Sequence, residues 1–213
     1  MRIKGLFGLS LLWVLSAAIL VTIYTAWIFY PLEIQWLRLE SIVHLSAYRI
    51  ARNFEVLMDY LTNPFNCELN MPDFSSSRNG LHHFRVVKYL FHATQVIFFV
   101  TLPAVIIFYR SVIMKKYLHL FRKGILFVIC IPLFIGAMAV LIGFDQFFIF
   151  FHQILFIGDR TWLFDPAVDP VIWILPEAFF LHSFILFFIL FEGALGILYM
   201  ISWLETRKNA DID

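Results

Sequence analysis

The sequence predicts an all-α membrane protein with four transmembrane helices, on three observations. Hydrophobic residues make up 62% of its 213 residues and charged ones only 15%, too little polar surface to cover a soluble core of that size. Mean hydropathy is +0.84. Four apolar runs are each long enough to cross a hydrocarbon core of about 30 Å at ~1.5 Å per helical residue. The net charge of +1 provides no global field for nucleic acid, so no such partner is expected.

The first span is expected from Gly5 to Phe29, ending at Pro31. Arg2 and Lys4 precede it as they would in a signal peptide, but the run is too long for an ordinary signal core, so it reads as a retained helix. Residues 31–89 then form a segment too long for a bare connection. It holds a helix-like stretch from Ser46 to Leu61 and a loop containing Asn63-Pro64, Pro72, three serines and Asn79-Gly80. The second span is expected from Leu90 to Tyr109, a connection follows over 110–123, and the third span runs from Gly124 to Phe150. Residues 151–177 form an interfacial loop, broken by prolines and mixing apolar residues with acids, before a fourth span from Ala178 to Trp203.

Orientation follows from the basic residues. Arg110, Lys115, Lys116, Arg122 and Lys123 lie between spans two and three, Arg2 and Lys4 at the start, and Arg207 and Lys208 after the last span. In a four-span chain all three places fall on one side, so both ends are expected in the cytoplasm. The loop after span three carries Asp159, Asp165, Asp169 and Glu177 against Arg160, and is expected outside with residues 31–89. Trp27, Trp36, Trp162 and Trp173 map to this outer region, where amphipathic rings settle.

Polar residues collect on the same side. Of the seven histidines, His44, His82, His83, His92, His152 and His182 map to the outer side, and only His119 is cytoplasmic. Ionisable groups at membrane depth are costly and tend to face a cavity or a partner. Arg85, Lys88, His92 and Gln95 recur at helical spacing, with His82 on the same stripe and His83 about 100° round the helix. Asp145 and His152 stand two turns apart on one face, and Glu192 is a further acid inside span four. Cys67 and Cys130 suggest no disulfide framework and read as structural. The 26 phenylalanines are expected to serve mainly in helix packing.

No G-x-S-x-G elbow, H-E-x-x-H helix, phosphate-binding glycine loop or C-x-x-C pair is present. Histidine is therefore the best acid–base group available, its pKa being matched to neutral pH.

Two stretches carry a more specific signal. YLTNPFNCELNMPDFSSSRNGLHHFRVVKYLF (Tyr60 to Phe91) and FDQFFIFFHQILFIGDRTWLFDPAVDPVIWILPEAFF (Phe144 to Phe180) resemble the two signatures of a bacterial four-span family that includes the lipoprotein intramolecular transacylases of Gram-positive bacteria. The family pattern of H-x-x-D-V-K, then F-H, W-x-x-D-P-x-x-D and L-P-E falls on His83, Lys88, His152, Trp162, Asp165, Asp169 and Glu177. The motif spacing selects His83 where the polar stripe points to His82. Val86 stands where an acid is usual, so Asp145 or Asp165 would have to replace that acid if it orients a catalytic group.

The resemblance implies an enzyme that moves the sn-2 acyl chain of a diacylglyceryl-cysteine onto the same cysteine's α-amino group, at the outer face of the cell membrane. His83 and His152 are then the expected catalytic pair. Lys88, Arg85, Trp162, Asp145, Asp165, Asp169 and His82 are candidates for binding, oxyanion stabilisation or orientation. Its partners would be diacylglyceryl-modified lipoproteins and membrane lipid, with no cofactor and no metal. Two rivals stay open at this point: a metal-dependent hydrolase or sensor using His83, His152 and His82 or His182, and a non-enzymatic binding or transport helper.

Overall fold

The computed structural model describes residues 3–210, with side chains through 207. Arg2 and the side chain of Lys208, both counted above for orientation, lie outside the described residues. Among the described residues every regular element is helical. They are α1 (Ile3–Trp36), α2 (Leu39–Val43), α3 (Ala47–Thr62), α4 (Arg78–Phe108), α5 (Arg122–Ile142), α6 (Phe144–Leu155) and α7 (Glu177–Ala210). A π turn at Tyr109–Ile113 extends α4, and short 3-10 turns occupy Leu118–Phe121 and Pro170–Ile174.

Four helices are long and apolar enough to cross a membrane: Ile3–Trp36, Arg78–Ile113, Leu118–Ile142 and Glu177–Arg207. Their outward faces are apolar, as Phe127, Val100, Val140 and Leu141 illustrate. Such a surface is stable only against lipid.

The chain divides into two compact units. One comprises the described residues up to Ile19, Gln95–Gly143 and Ile185 onward. It is held by Leu6, Ala104, Phe108, Val112, Leu118 and Ile125, and by a second cluster of Ala18, Phe191 and Leu195. Within it Glu205 accepts the His119 backbone N–H at 2.9 Å.

The other unit, Leu20–Thr94 and Phe144–Phe184, contains the larger core. Its centre is Tyr30, Ile34, Leu39, Ile50, Phe54, Leu57, Val171 and Ile174. α3 buries one face there, including Ile50, Phe54, Leu57 and Leu61. Asn53, fully buried on that face, donates to the Arg49 carbonyl and to Asp73 at 2.7 Å while accepting the Asp73 backbone N–H at 3.0 Å. Asp73 also pairs with Arg49. The 62–77 loop is thereby tied to α3.

Three boundaries differ from the sequence expectation, each for a physical reason. α1 does not stop near Pro31 but continues to Trp36. A proline inside a helix costs about 3 kcal/mol, and here tertiary contacts offset it. Tyr30 and Ile34 are each 1% exposed, the Tyr30 hydroxyl donates to the Ile174 carbonyl at 2.6 Å, and Glu33 pairs with His182 at 2.9 Å.

The helix that carries the second span starts twelve residues before Leu90, at Arg78. Ser77 caps it, its Oγ accepting the Gly80 N–H at 3.0 Å. The third span does not reach Phe150. α5 ends at Ile142, and Gly143 sits at φ +85°, ψ 148°, a conformation open essentially to glycine alone. α6 then begins at Phe144 as a separate amphipathic helix outside the four candidate spans.

Candidate active site

The early start of α4 places His83 in its second turn, and α6 places His152 in its last. The two imidazole centroids are 6.2 Å apart with ring planes at 34°. Aromatic side chains surround them. The Phe156 ring stands 4.9 Å from His83 and 5.7 Å from His152. Phe164 lies edge-on to His83 at 5.5 Å, while Phe148 and Trp162 approach His152 at 4.2 Å and 4.9 Å. His83 is 6% exposed, and its Nδ1 is buried without a hydrogen-bond partner among the described residues.

His152 has a defined tautomer when neutral. Its Nδ1 lies 2.8 Å from the Phe148 carbonyl, which can only accept, so Nδ1 carries the proton and Nε2 keeps its lone pair. Burial holds the His152 pKa below the ordinary imidazole value of 6.5, because a low-dielectric surround disfavours the cation.

A frame of acids and turns holds the pair. Asp169, 3% exposed, accepts the Ser77 backbone N–H at 2.7 Å and the Ser77 hydroxyl at 2.6 Å. It therefore grips the residue that caps α4. Gly80 makes this possible: a Cβ there would run into the Asp169 carboxylate and the Phe164 ring. Asp159 accepts the Thr161 N–H at 2.8 Å and meets His82 Nε2 at 3.1 Å, while its backbone carbonyl accepts Trp162 Nε1 at 3.2 Å. The Thr161 N–H leads the causes that hold the Asp159 carboxyl below the usual carboxylate range, with His82 adding to it.

Of the other expected site residues, Trp162 keeps its ring against His152, and the rest make contacts outside the pair. Lys88 is buried, but its ammonium donates to the carbonyls of Asn63, at 3.0 Å, and Asn66, and lies 4.5 Å over the Tyr60 ring. Lys88 thus secures the 62–66 loop, and His92 joins in through the Thr62 backbone. Lys88→Met is accordingly expected to lower the melting temperature of the purified protein more than it lowers kcat.

Trp162 has its indole N–H committed to the Asp159 carbonyl, and Arg85 is exposed. Asp145 is exposed beside Glu177, and Asp165 builds its own turn by accepting the Ala167 N–H at 2.9 Å. Neither acid contacts the histidine pair in the way the loss of acid at Val86 called for. The acid beside the pair is Asp159.

Sequence reasoning treated Asp159 only as loop charge and did not single out Ser77. Ser77 has no Glu or Gln three residues on to mark a capping box, and Asp159 acts through atoms that only the turn brings into range. The third imidazole that a metal centre would need is not gathered, since His82 faces Asp159 and His182 faces Glu33. Among the described residues no three His, Cys, Asp or Glu side chains are grouped to hold an ion.

Comparison with known proteins agrees with the fold and the motifs. Residues 5–180 match the family described as lipoprotein intramolecular transacylase Lit. No curated protein matches. Among solved structures, the membrane-integral lipoprotein intramolecular transacylase Lit from Bacillus cereus superposes with a TM-score of 0.84 at 27% identity, covering 98% of this chain and 96% of that one. Two further forms of the Bacillus cereus protein, with a histidine replaced by arginine or by alanine, superpose at 0.78 and 26% identity. They cover 99% and 98% of this chain, and each match spans 93% of the solved chain. With its four apolar helices, this multi-pass membrane protein belongs to the lipoprotein intramolecular transacylase family.

Proposed function

We propose that this chain transfers the sn-2 acyl group of a diacylglyceryl-cysteine to the α-amino nitrogen of the same cysteine. The observation that carries this reading is the buried His83–His152 pair, 6.2 Å between centroids, in an aromatic surround. The amine nitrogen attacks the ester carbonyl carbon, a new C–N bond forms, and the bond from that carbon to the glycerol oxygen breaks. One proton leaves the nitrogen and one reaches the departing oxygen, so product and substrate are isomers. The amide gains more resonance stabilisation than the ester had, so the step needs no nucleotide to drive it.

An α-ammonium of pKa about 7.7–8.0 must first lose one proton to water, and the free amine loses a second as the C–N bond forms. His152 is the base in this scheme, because its Nδ1–H is anchored on Phe148 and its Nε2 lone pair is free when the ring is neutral. His83, with an unpartnered ring nitrogen, serves the leaving oxygen. Donor and acceptor sit in one molecule, closing a ring of roughly eight atoms at attack, so holding a reactive pose supplies much of the rate.

Protonating His152 would remove its lone pair. Since its pKa lies below 6.5, the base is intact at neutral pH and lost as pH falls through that lowered value. The pH profile of kcat should fall first through the pKa of the substrate amine, about 7.7–8.0, and steepen again below pH 6.5 as His152 is protonated.

Both chain ends are assigned to the cytoplasm in this reading, with residues 31–89 and 151–177 outside. The basic residues between spans two and three support that orientation, which brings the pair to the outer interface where an anchored lipoprotein presents its ester carbonyls. Mass spectrometry of lipoprotein N-termini from cells with and without the chain tests the reading. N-acyl, S-monoacylglyceryl termini are expected only where it is present, and unchanged diacylglyceryl termini in both would refute it.

A further inference from the structure

We propose that Asp159 is a positioning residue, whose bond to His82 latches α4 to the turn after α6 and so sets the spacing of the His83–His152 pair. This rests on the transacylase reading for its kinetic consequence, but not for its geometry.

His83 and His152 stand on separate helices, and nothing bonds one ring directly to the other. α6 ends at Leu155, and the chain turns through Phe156–Asp159, where the Asp159 N–H donates to the Phe156 carbonyl at 3.0 Å. That turn presents Phe156 to both imidazoles. At its far end Asp159 reaches across to α4 and meets His82, the neighbour of His83, at 3.1 Å. The same residue accepts Trp162 Nε1 on its backbone carbonyl, and the Trp162 ring lies 4.9 Å from His152. Asp159 thus touches α4 on one side of the pair and the ring that covers His152 on the other. Its second carboxylate oxygen is fixed by the Thr161 N–H at 2.8 Å, so the oxygen facing His82 has a defined direction.

The Asp159–His82 bond is too open to be explained by stability. The His82 side chain is 53% exposed and that of Asp159 25%, and ion pairs in such settings add little to folding. Geometry is a different matter, because a reacting pair is sensitive to displacements of about 1 Å. An exposed bond that hardly affects melting can still decide whether the two rings stand at a working distance.

The test uses the full chain in detergent micelles, with a synthetic diacylglyceryl-cysteinyl peptide as probe. Asp159→Ala and His82→Ala should each lower kcat about tenfold with little change in KM, and the double variant should be no slower than either single, as expected of partners in one bond. His82→Lys, which restores a donor to Asp159, should recover most of the rate. Melting temperatures should stay close to wild type. Additive losses, no recovery with lysine, or a fall in melting temperature that matches the loss of rate would overturn the latch.

An independent readout comes from 15N-histidine NMR. Asp159→Ala should move the His83 and His152 ring signals as well as that of His82. If only His82 moves, the latch is refuted whatever the kinetics. If wild type leaves the probe unconverted while all three signals move, the transacylase reading fails and the latch stands.

Discussion

Alanine at His83 or at His152 is expected to slow conversion of a diacylglyceryl-cysteinyl peptide by about 10²–10⁴-fold, the range over which a positioned acid or base acts. The proposed scheme puts both rings in one proton circuit, so the two substitutions should not compound. His152 loses the nitrogen whose lone pair is directed by the Phe148 carbonyl. His83→Ala also opens a void between Phe156 and Phe164, so some destabilisation accompanies it. His83→Gln keeps much of the volume and separates the two effects: its rate should stay low while its melting temperature recovers. Turnover in either alanine variant within a few-fold of wild type would remove the pair from the mechanism.

Asp169→Ala should produce the largest stability loss of any single acid in this unit, about 2–4 kcal/mol, read from thermal unfolding in detergent. Its carboxylate is 3% exposed and accepts both donors of Ser77. Removing it leaves a part-buried backbone N–H unpaired and loosens the cap of α4. His83 lies six residues past that cap, so kcat should fall with the fraying of the first turn. Gly80→Ala attacks the same joint from the other side, since the new methyl would occupy space held by the carboxylate. Both variants should lose protection of amides in the first two turns of α4 by hydrogen exchange. Unchanged exchange there would mean that the helix start is held by other contacts.

The spans were legible because length and hydropathy alone decide whether a segment can cross lipid, and no tertiary contact alters that. Element boundaries were less so. Pro31 argues for a helix end by its own chemistry, and only the burial of Tyr30 and Ile34, with the Glu33–His182 pair, carries the helix past it. The break at Gly143 is followed within three residues by Asp145 and Gln146, but the apolar run resumes at Phe147, so hydropathy averaged over a span passes across it, and glycine is common in membrane helices.

For the site, motif spacing separated His83 from His82, which composition cannot do. The structure buries the first against His152 and turns the second outward to Asp159. Lys88 illustrates the opposite case. A buried cation beside a histidine motif invites a role in anion stabilisation, and here two of its three donors are directed at loop carbonyls. The carbonyls of Asn63 and Asn66 carry no signature in sequence, since every residue has one.

The glycine between α5 and α6 also decouples rotational phase. Along one continuous rod, adding a single residue anywhere in residues 122–142 would swing everything beyond it by about 100°, carrying His152 away from its partner. With the rod interrupted at Gly143, the facing of His152 is set by α6's own contacts with Phe180 and Phe184. A one-residue insertion within residues 122–142 should therefore leave the facing of His152 on α6 unchanged.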